Sequence, residues 1–459
     1  MGLPSTGATN TVQRPEPIRM QVPPTPQAAA APATPASISK TERQAITAPI
    51  GKPDPPADTP QSSKDDPQVQ TVTQMIGKAD GMISKKDAQL LLAHLDVHNL
   101  TQKSVDLPIN GRRFNVETSL EPDLQAQLTE AMDRKNSRFI GIVVMEADSG
   151  RILAMAGFDK ADPQSNPCLQ STFPAASLFK IVTAAAAVDQ YGYTIHTPVN
   201  FSGYKHTLYK SQLKESNNRY TQTISFADSF AQSVNPVFGK LGSLHLGKDL
   251  LEEYGLGFGF NQPLDFELAV TPSRLIVTDA PYRLAEIASG FNNETTLSPL
   301  HAAVMVSAVL NKGRMVSPSL VESIVDADGR VIYRSQATWQ RRAMTSKASA
   351  VVAEMMETTI QSGTARKIFR GQQRDPVLSQ VRIGGKTGSI SNHTNDARFD
   401  WFVGYAEAKE GSGHLAVAVL VAHEEYIGVR AGTYARMAMA HYFKNHLAHQ
   451  ESKSMKSNS

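Results

Sequence analysis

The chain has 459 residues, 41% of them hydrophobic and 19% charged, so it can bury at least one large core. A formal net charge of +3 without a Lys/Arg run argues against nucleic-acid binding, and the single cysteine excludes an intramolecular disulfide framework or a multi-cysteine metal site. No stretch reaches the roughly 18 apolar residues that a membrane span requires, and residues 1–10 lack the basic-then-apolar pattern of a secretory signal.

Residues 1–70 hold about half of the 27 prolines, an alanine run at 28–31 and no aromatic residue; the first aromatic is Phe114. Such a segment buries too little surface to offset its conformational entropy, so it is expected to be a disordered tether. Met1-Gly2 with Thr6 fits a myristoylation pattern only formally. Residues 71–112 read as a short helical linker or remnant pedestal, with an amphipathic pattern over 81–99 that places Leu91, Leu92 and Leu95 together. His94 and His98 are spaced i, i+4 there, but without the Glu of H-E-x-x-H they read as helix surface.

The main module is expected over 113–450, with 451–459 as a flexible tail. Residues 114–118 read as a strand, 122–134 as a helix opened by proline and acidic residues, and 139–146 with 151–157 as a hairpin around Asp148-Ser149-Gly150. Cys168 sits in a loop-like Asn166-Pro167-Cys168-Leu169 context, with little to mark it as a working thiol. A long, mostly helical middle follows. Strand-like runs then come at 381–390, 401–406 and 415–422, and a helical pattern at 433–447 closes the chain. Two strands early, three late and helices between predict an α/β fold of α+β type. Its antiparallel five-stranded sheet would pack between helices, beside a mostly helical second lobe.

Three short boxes carry the chemistry. Ser177-Leu178-Phe179-Lys180 follows Phe173-Pro174 and opens a helix, expected to run to Gln190, that is apolar nearly all round. A serine there gains free backbone N–H groups and the positive end of the dipole. Lys180 shares its face one turn on, and burial would make its amine a usable base. In isolation, a helix cap beside a buried lysine would look the same. Ser233-Val234-Asn235, followed by Pro236, reads as a loop that begins a helix; Ser233 could relay a proton between Lys180 and a leaving amine, and Asn235 could bind a substrate carbonyl. Lys386-Thr387-Gly388 follows Gly384-Gly385 on an apolar-flanked strand, and its glycines suggest close approach of another backbone. An extended peptide could add along that edge, with Lys386, Thr387 and Ser389 gripping a carboxylate and the N–H groups of Ser177 and Ser389 forming an oxyanion hole. Decoy matches occur at Ser37/Lys40, Ser211/Lys214 and Ser216/Asn218, but only one choice of the three boxes stands in the right order and context.

The ordered set S-x-x-K, S-x-N, K-T-G resembles the penicillin-recognising serine acyltransferases. From about residue 113 to 443 the chain looks like the transpeptidase domain of penicillin-binding proteins, class B-like, with the penicillin-binding-protein/β-lactamase fold. Residues 118–125, Gln232 to Pro236 with Leu241-Gly242, Asp400-Trp401-Phe402-Val403-Gly404-Tyr405, and 299–313 each resemble a family segment. The resemblance implies Ser177 as acylated nucleophile, Lys180 as its base, Ser233 as proton relay, Asn235 as substrate ligand, and Lys386, Thr387, Gly388 and Ser389 as the carboxylate-binding strand. It implies peptidoglycan stem peptides ending in D-Ala-D-Ala as substrates, β-lactams as suicide analogues, no cofactor or metal, no nucleic acid, and cell-wall synthesis or division proteins as partners. The place of action would be the bacterial cell envelope, in the periplasm or at the outer face of the cytoplasmic membrane.

The chain departs from the family pattern in its Ser289-Gly290-Phe291-Asn292 turn, which stands where the family has Gly-Gln-Gly. No anchor, full pedestal or glycosyltransferase segment is recognisable. A D,D-carboxypeptidase or β-lactamase would use the same acylation machinery, and a non-catalytic scaffold or β-lactam sensor is the reading from another class. Glu215-Ser216-Asn217-Asn218 has the spacing of a water-activating Glu-x-x-Asn pair but precedes Ser233, so it reads as loop.

Overall fold

The structure, a computed structural model, describes residues 82–93, 95, 100–410 and 413–457. The expected tether at 1–70 and the His94/His98 pair lie outside the described residues. Helix α1 (Lys85–Leu92) begins at Ser84, whose hydroxyl accepts from the Asp87 N–H while the Asp87 carboxylate accepts from the Ser84 N–H. This reciprocal cap satisfies two otherwise orphaned donors.

Strands β1 (Ser104–Ile109) and β2 (Arg112–Thr118) form a hairpin that pairs with β5 (Val321–Asp326), and β6 (Val331–Arg334) completes a four-stranded sheet in the order β1-β2-β5-β6. The expected boundary at residue 113 therefore cuts a hairpin. Pro108 hid the alternation of Val105, Leu107 and Ile109; the proline is tolerated because β1 lies at the edge of its sheet.

The central sheet runs β7-β8-β9-β3-β4, antiparallel throughout, from β3 (Ser137–Glu146), β4 (Ile152–Asp159), β7 (Val381–Ser391), β8 (Arg398–Ala408) and β9 (His414–His423). Both faces are covered, so the strands are apolar on alternate and intervening positions alike. Val143, Met145, Trp401, Val403 and Leu420 join the core of the helical lobe, while Ile142, Val144, Phe402, Val417 and Val419 join a second core beneath. Helix α2 (Pro122–Glu130) and the terminal helix α8 (Ala431–Ser457) cover that second face. The helical lobe holds α3 (Lys180–Tyr191), α4 (Asn235–Lys240), α5 (Pro281–Ser289), α6 (Pro299–Leu310) and α7 (Ser346–Gln361).

The terminal helix continues to Ser457 instead of ending near 447, so most of the expected flexible tail is helical. Its last residues include Leu447, Gln450, Glu451, Lys453 and Met455, strong helix formers with no Pro or Gly to stop them. Among the described residues, no helix is long and apolar enough to cross a membrane.

Candidate active site

A short 3₁₀ turn, Ala176–Phe179, presents Ser177 immediately before α3. The approach to it is pinned on two sides. Trp401 Nε1 donates to the Pro174 carbonyl across 2.8 Å, tying the entry segment to β8. On the other side Gly290 has φ +66°, and a Cβ there would lie 1.8 Å from the Ala176 oxygen. Ala176 itself has φ +48°, an unfavourable conformation for a residue with a Cβ. Such strain persists only where surroundings over-determine the backbone, and here Gly290 and β8 do so.

Lys180 is fully buried on α3. Its Nζ lies 2.8 Å from Ser177 Oγ and 2.8 Å from Asn235 Oδ1, and it donates to the Ser289 carbonyl as well. Asn235 Nδ2 donates to the His206 carbonyl across 3.0 Å, which fixes the amide so that its oxygen faces Lys180. Two of the three partners can therefore only accept. Burial first, and then the charge of Lys386, hold the Lys180 amine well below its ordinary pKa. A neutral amine that donates to Asn235 and Ser289 has its lone pair left for the hydroxyl proton of Ser177.

The second lysine stands behind the second serine. Lys386 Nζ donates to Ser233 Oγ at 3.0 Å and to the Thr387 carbonyl at 2.9 Å, and burial lowers its pKa to about 7. The partners of two expected substrate contacts are as follows. Lys386, expected to grip a substrate carboxylate, is fully buried, with its amine on the Ser233 hydroxyl and the Thr387 carbonyl. Ser233 is linked to Lys386, while the Asn235 amide, expected to bind substrate, is engaged at both ends by Lys180 and His206. Ser233 also carries a positive φ, +56°.

Strand β7 forms the edge of the central sheet and the wall of a cleft of about 550 Å³ that contains Ser177, Ser233, Asn235, Thr387, Gly388 and Ser389. A Cβ at Gly388 would meet Ala176 Cβ at 3.4 Å and Leu178 at 3.5 Å, so this glycine lets the edge strand lie against the nucleophile turn. At Gly384 and Gly385 the close neighbours are the Tyr405 and Phe402 rings, not another backbone as expected. The predicted residues Ser177, Lys180, Ser233, Asn235, Thr387, Gly388 and Ser389 thus meet at one place, with Lys386 beneath them.

The boxes did not reveal the rest of the cleft. His206 lines it, with its pKa lowered first by burial and then by the neighbouring lysines. Phe291, Thr364, Lys367 and Arg398 line it too, as do Asp400 and Arg430, which form a two-point ion pair at 2.8 and 3.0 Å. The glycine in 289–292 was the one available signal for that turn. Cys168 is buried away from the cleft, with its thiol pushed up to about 12.

A five-stranded antiparallel sheet, a cleft-lining serine backed by a buried lysine at the mouth of a helical lobe, and a K-T-G edge strand define a serine acyltransferase architecture. The family description "Penicillin binding protein transpeptidase domain" matches residues 140–442, and the chain belongs to that family. It is 28% identical to the peptidoglycan D,D-transpeptidase PbpA of Mycolicibacterium smegmatis, over 68% of this chain and 67% of that protein. Stage V sporulation protein D of Bacillus subtilis is 22% identical over 67% of this chain and 49% of its own length, so the chain spans about half of that relative. Among solved structures, penicillin-binding protein A from M. tuberculosis, in its imipenem acyl-enzyme complex, superposes with a TM-score of 0.58. It is 24% identical, covering 71% of this chain and 78% of that one, and supports the fold.

Proposed function

We propose that this protein is a peptidoglycan D,D-transpeptidase that works through a Ser177 acyl-enzyme and is acylated by β-lactams. The observation that carries the reading is the Lys180 amine, buried, held neutral, and 2.8 Å from Ser177 Oγ with its other contacts on obligate acceptors. Lys180 takes the hydroxyl proton as Ser177 attacks the carbonyl of the penultimate D-Ala. The C–N bond breaks, and the leaving D-Ala amine receives a proton from Ser233, whose hydroxyl is backed by Lys386. Lys386 replaces the proton that Ser233 gives up. An amine from a second stem peptide then attacks the ester and passes its proton back through Ser233 to Lys386, while the C–O bond breaks and Ser177 regains its proton from Lys180. The donor peptide lies along the free edge of β7, and the N–H groups of Ser177 and Ser389 stabilise the oxyanion. PbpA of M. smegmatis carries the same activity in its name. The place of action is the cell envelope, outside the cytoplasmic membrane, where such peptides are found.

The test is mass spectrometry of the protein after incubation with penicillin. One adduct, on the peptide containing Ser177, is expected. An adduct on Ser211 or Ser37, or continued labelling of Ser177→Ala, would remove Ser177 from the mechanism.

A further inference from the structure

Strands Pro198–Ser202 and Thr221–Ser225 pair as an antiparallel hairpin, and the 203–220 loop between them reaches the catalytic cleft. The Asn235 N–H donates to the Lys205 carbonyl at 2.7 Å, its side chain donates to the His206 carbonyl, and His206 lines the cleft. The same loop carries three of the four most exposed Tyr, Phe or Trp rings among the described residues: Tyr204 at 81%, Tyr220 at 64% and Tyr209 at 61%. One exposed apolar side chain is ordinary, but three rings on one loop form a surface.

The loop is exposed without being loose. The buried Gln212 side chain accepts from the Tyr209 N–H at 2.8 Å and from the Thr207 hydroxyl at 3.1 Å. It donates to the Ser202 carbonyl at 2.9 Å and to the Tyr204 carbonyl at 3.2 Å. Leu208 and Leu213 pack on Ala285 of α5, and the Tyr282 hydroxyl donates to the Leu208 carbonyl. Rings held on a fixed backbone lose little freedom when a ligand stacks on them. Lys210, Lys214, Asn217 and Asn218 interrupt the rings, which does not suit the continuous apolar core that a protein partner buries. Separate flat rings in a polar setting suit a sugar polymer instead. Each pyranose offers a face of C–H bonds to a ring and a rim of hydroxyls to the polar neighbours.

The distances agree. Tyr204 and Tyr209 stand two and three residues from His206, so their Cα atoms lie at most about 7 and 11 Å from that of the cleft residue. The few residues between the penultimate D-Ala of a stem peptide and its sugar span about 10–14 Å when extended. A glycan whose stem peptide occupies the cleft therefore comes within reach of these rings.

We propose that the 203–220 loop is a glycan platform, on which Tyr204, Tyr209 and Tyr220 stack against N-acetylhexosamine rings of the strand that carries the stem peptide. This rests on the transpeptidase reading above. It adds to that reading a substrate class, polymer-linked peptides held by their sugars on a surface outside the three boxes.

The probe is glycan strands stripped of their peptides by an amidase, with binding to the full chain followed by fluorescence anisotropy. A stacked aromatic face is worth about threefold to tenfold in affinity, so Tyr204→Ala and Tyr220→Ala should each weaken binding by that factor. Tyr204→Phe should bind like the wild type, because the ring face is kept. Penicillin acylation of these variants should be unchanged. Strands that do not bind the wild type, or that bind the triple alanine variant equally well, overturn the inference. So does binding that survives the three alanines and disappears at high salt, which would place it on the lysines. Capture of a protein through these tyrosines, with no affinity for the strands, overturns it as well. A chain that binds the strands through the rings but is not acylated by penicillin overturns the transpeptidase reading alone.

Discussion

Lys180 and Lys386 are both buried amines, yet the contacts around them differ in what they permit. Lys180 faces one hydroxyl and two obligate acceptors, which suits a neutral base. Replacing it with methionine keeps the volume and the helix but removes the base, and general-base catalysis is worth roughly 10²–10⁴ in rate. Lys180→Met should lose acylation by that factor while the melting temperature moves by only a few degrees. A melting point that collapses, or acylation that survives, contradicts the role. Lys386 gives a separate, thermodynamic test. Its folded pKa is about 7 against an ordinary 10.5, so between about pH 7 and 10 the unfolded chain binds a proton that the folded one does not. Its destabilising effect is therefore complete below about pH 7 and fades as pH rises. Unfolding free energy should climb with pH over that window, and in Lys386→Met the climb should be shallower by up to about 1.4 kcal/mol per pH unit. Urea unfolding at three pH values would measure it, and equal slopes would place Lys386 in water. The boxes picked out both lysines, and each lies beside one of the two boxed serines, Lys180 at Ser177 and Lys386 at Ser233. S-x-x-K spacing fixes a shared helix face and so aims Lys180 at Ser177, whereas the orientation of Lys386 depends on Phe230 and Ser233, more than 150 residues away, and could not be read from its box.

Among the elements, the turn after α5 is the one packed against the backbone of the nucleophile turn. Gly290 is at φ +66° and its missing Cβ is occupied by the Ala176 oxygen. Gly290→Ala should push the nucleophile turn out of place. A left-handed alanine costs about 1–2 kcal/mol, and the overlap adds to it. We expect a loss of about 1–3 kcal/mol of stability together with slower acylation, whereas Gly192→Ala, at φ +67° with nothing near its Cβ, should lose stability alone. Comparable acylation in the two variants would show that the turn does not hold Ser177. The central strands were legible because they are near-continuous apolar runs: β7, β8, β9 and the β3–β4 hairpin emerge within a few residues of their observed ends. β1 was not, because Pro108 interrupts its alternation, and the 363–378 loop was not, because loop contacts carry no period at all.

For the whole molecule the open question is what the acyl-enzyme does next, and it turns on which groups near Ser177 can activate water. Asp400 is the sole acid among the residues lining the cleft, and its carboxylate is tied to Arg430 and accepts from the Ala431 N–H at 3.0 Å. Burial pushes its pKa up, but His423, then Arg430 and the Ala431 N–H outweigh it and keep the value below that of an ordinary carboxylate, so it is a poor base. Glu215, which has the spacing of a water-activating pair, is exposed, points toward Lys240 at 3.6 Å, and is not among the cleft residues. Without a positioned base, water should attack the Ser177 ester slowly, and the missing factor is again roughly 10²–10⁴. With a chromogenic cephalosporin we expect a burst of about one equivalent followed by very slow turnover, and with D-Ala-D-Ala-type thioester donors an added amine should outcompete water for the acyl group. Among the described residues lining the cleft, His206 is the one imidazole, so it supplies the contrary case. Rapid steady-state hydrolysis without a burst, abolished by His206→Gln, would make this chain a hydrolase built on the same acylation machinery.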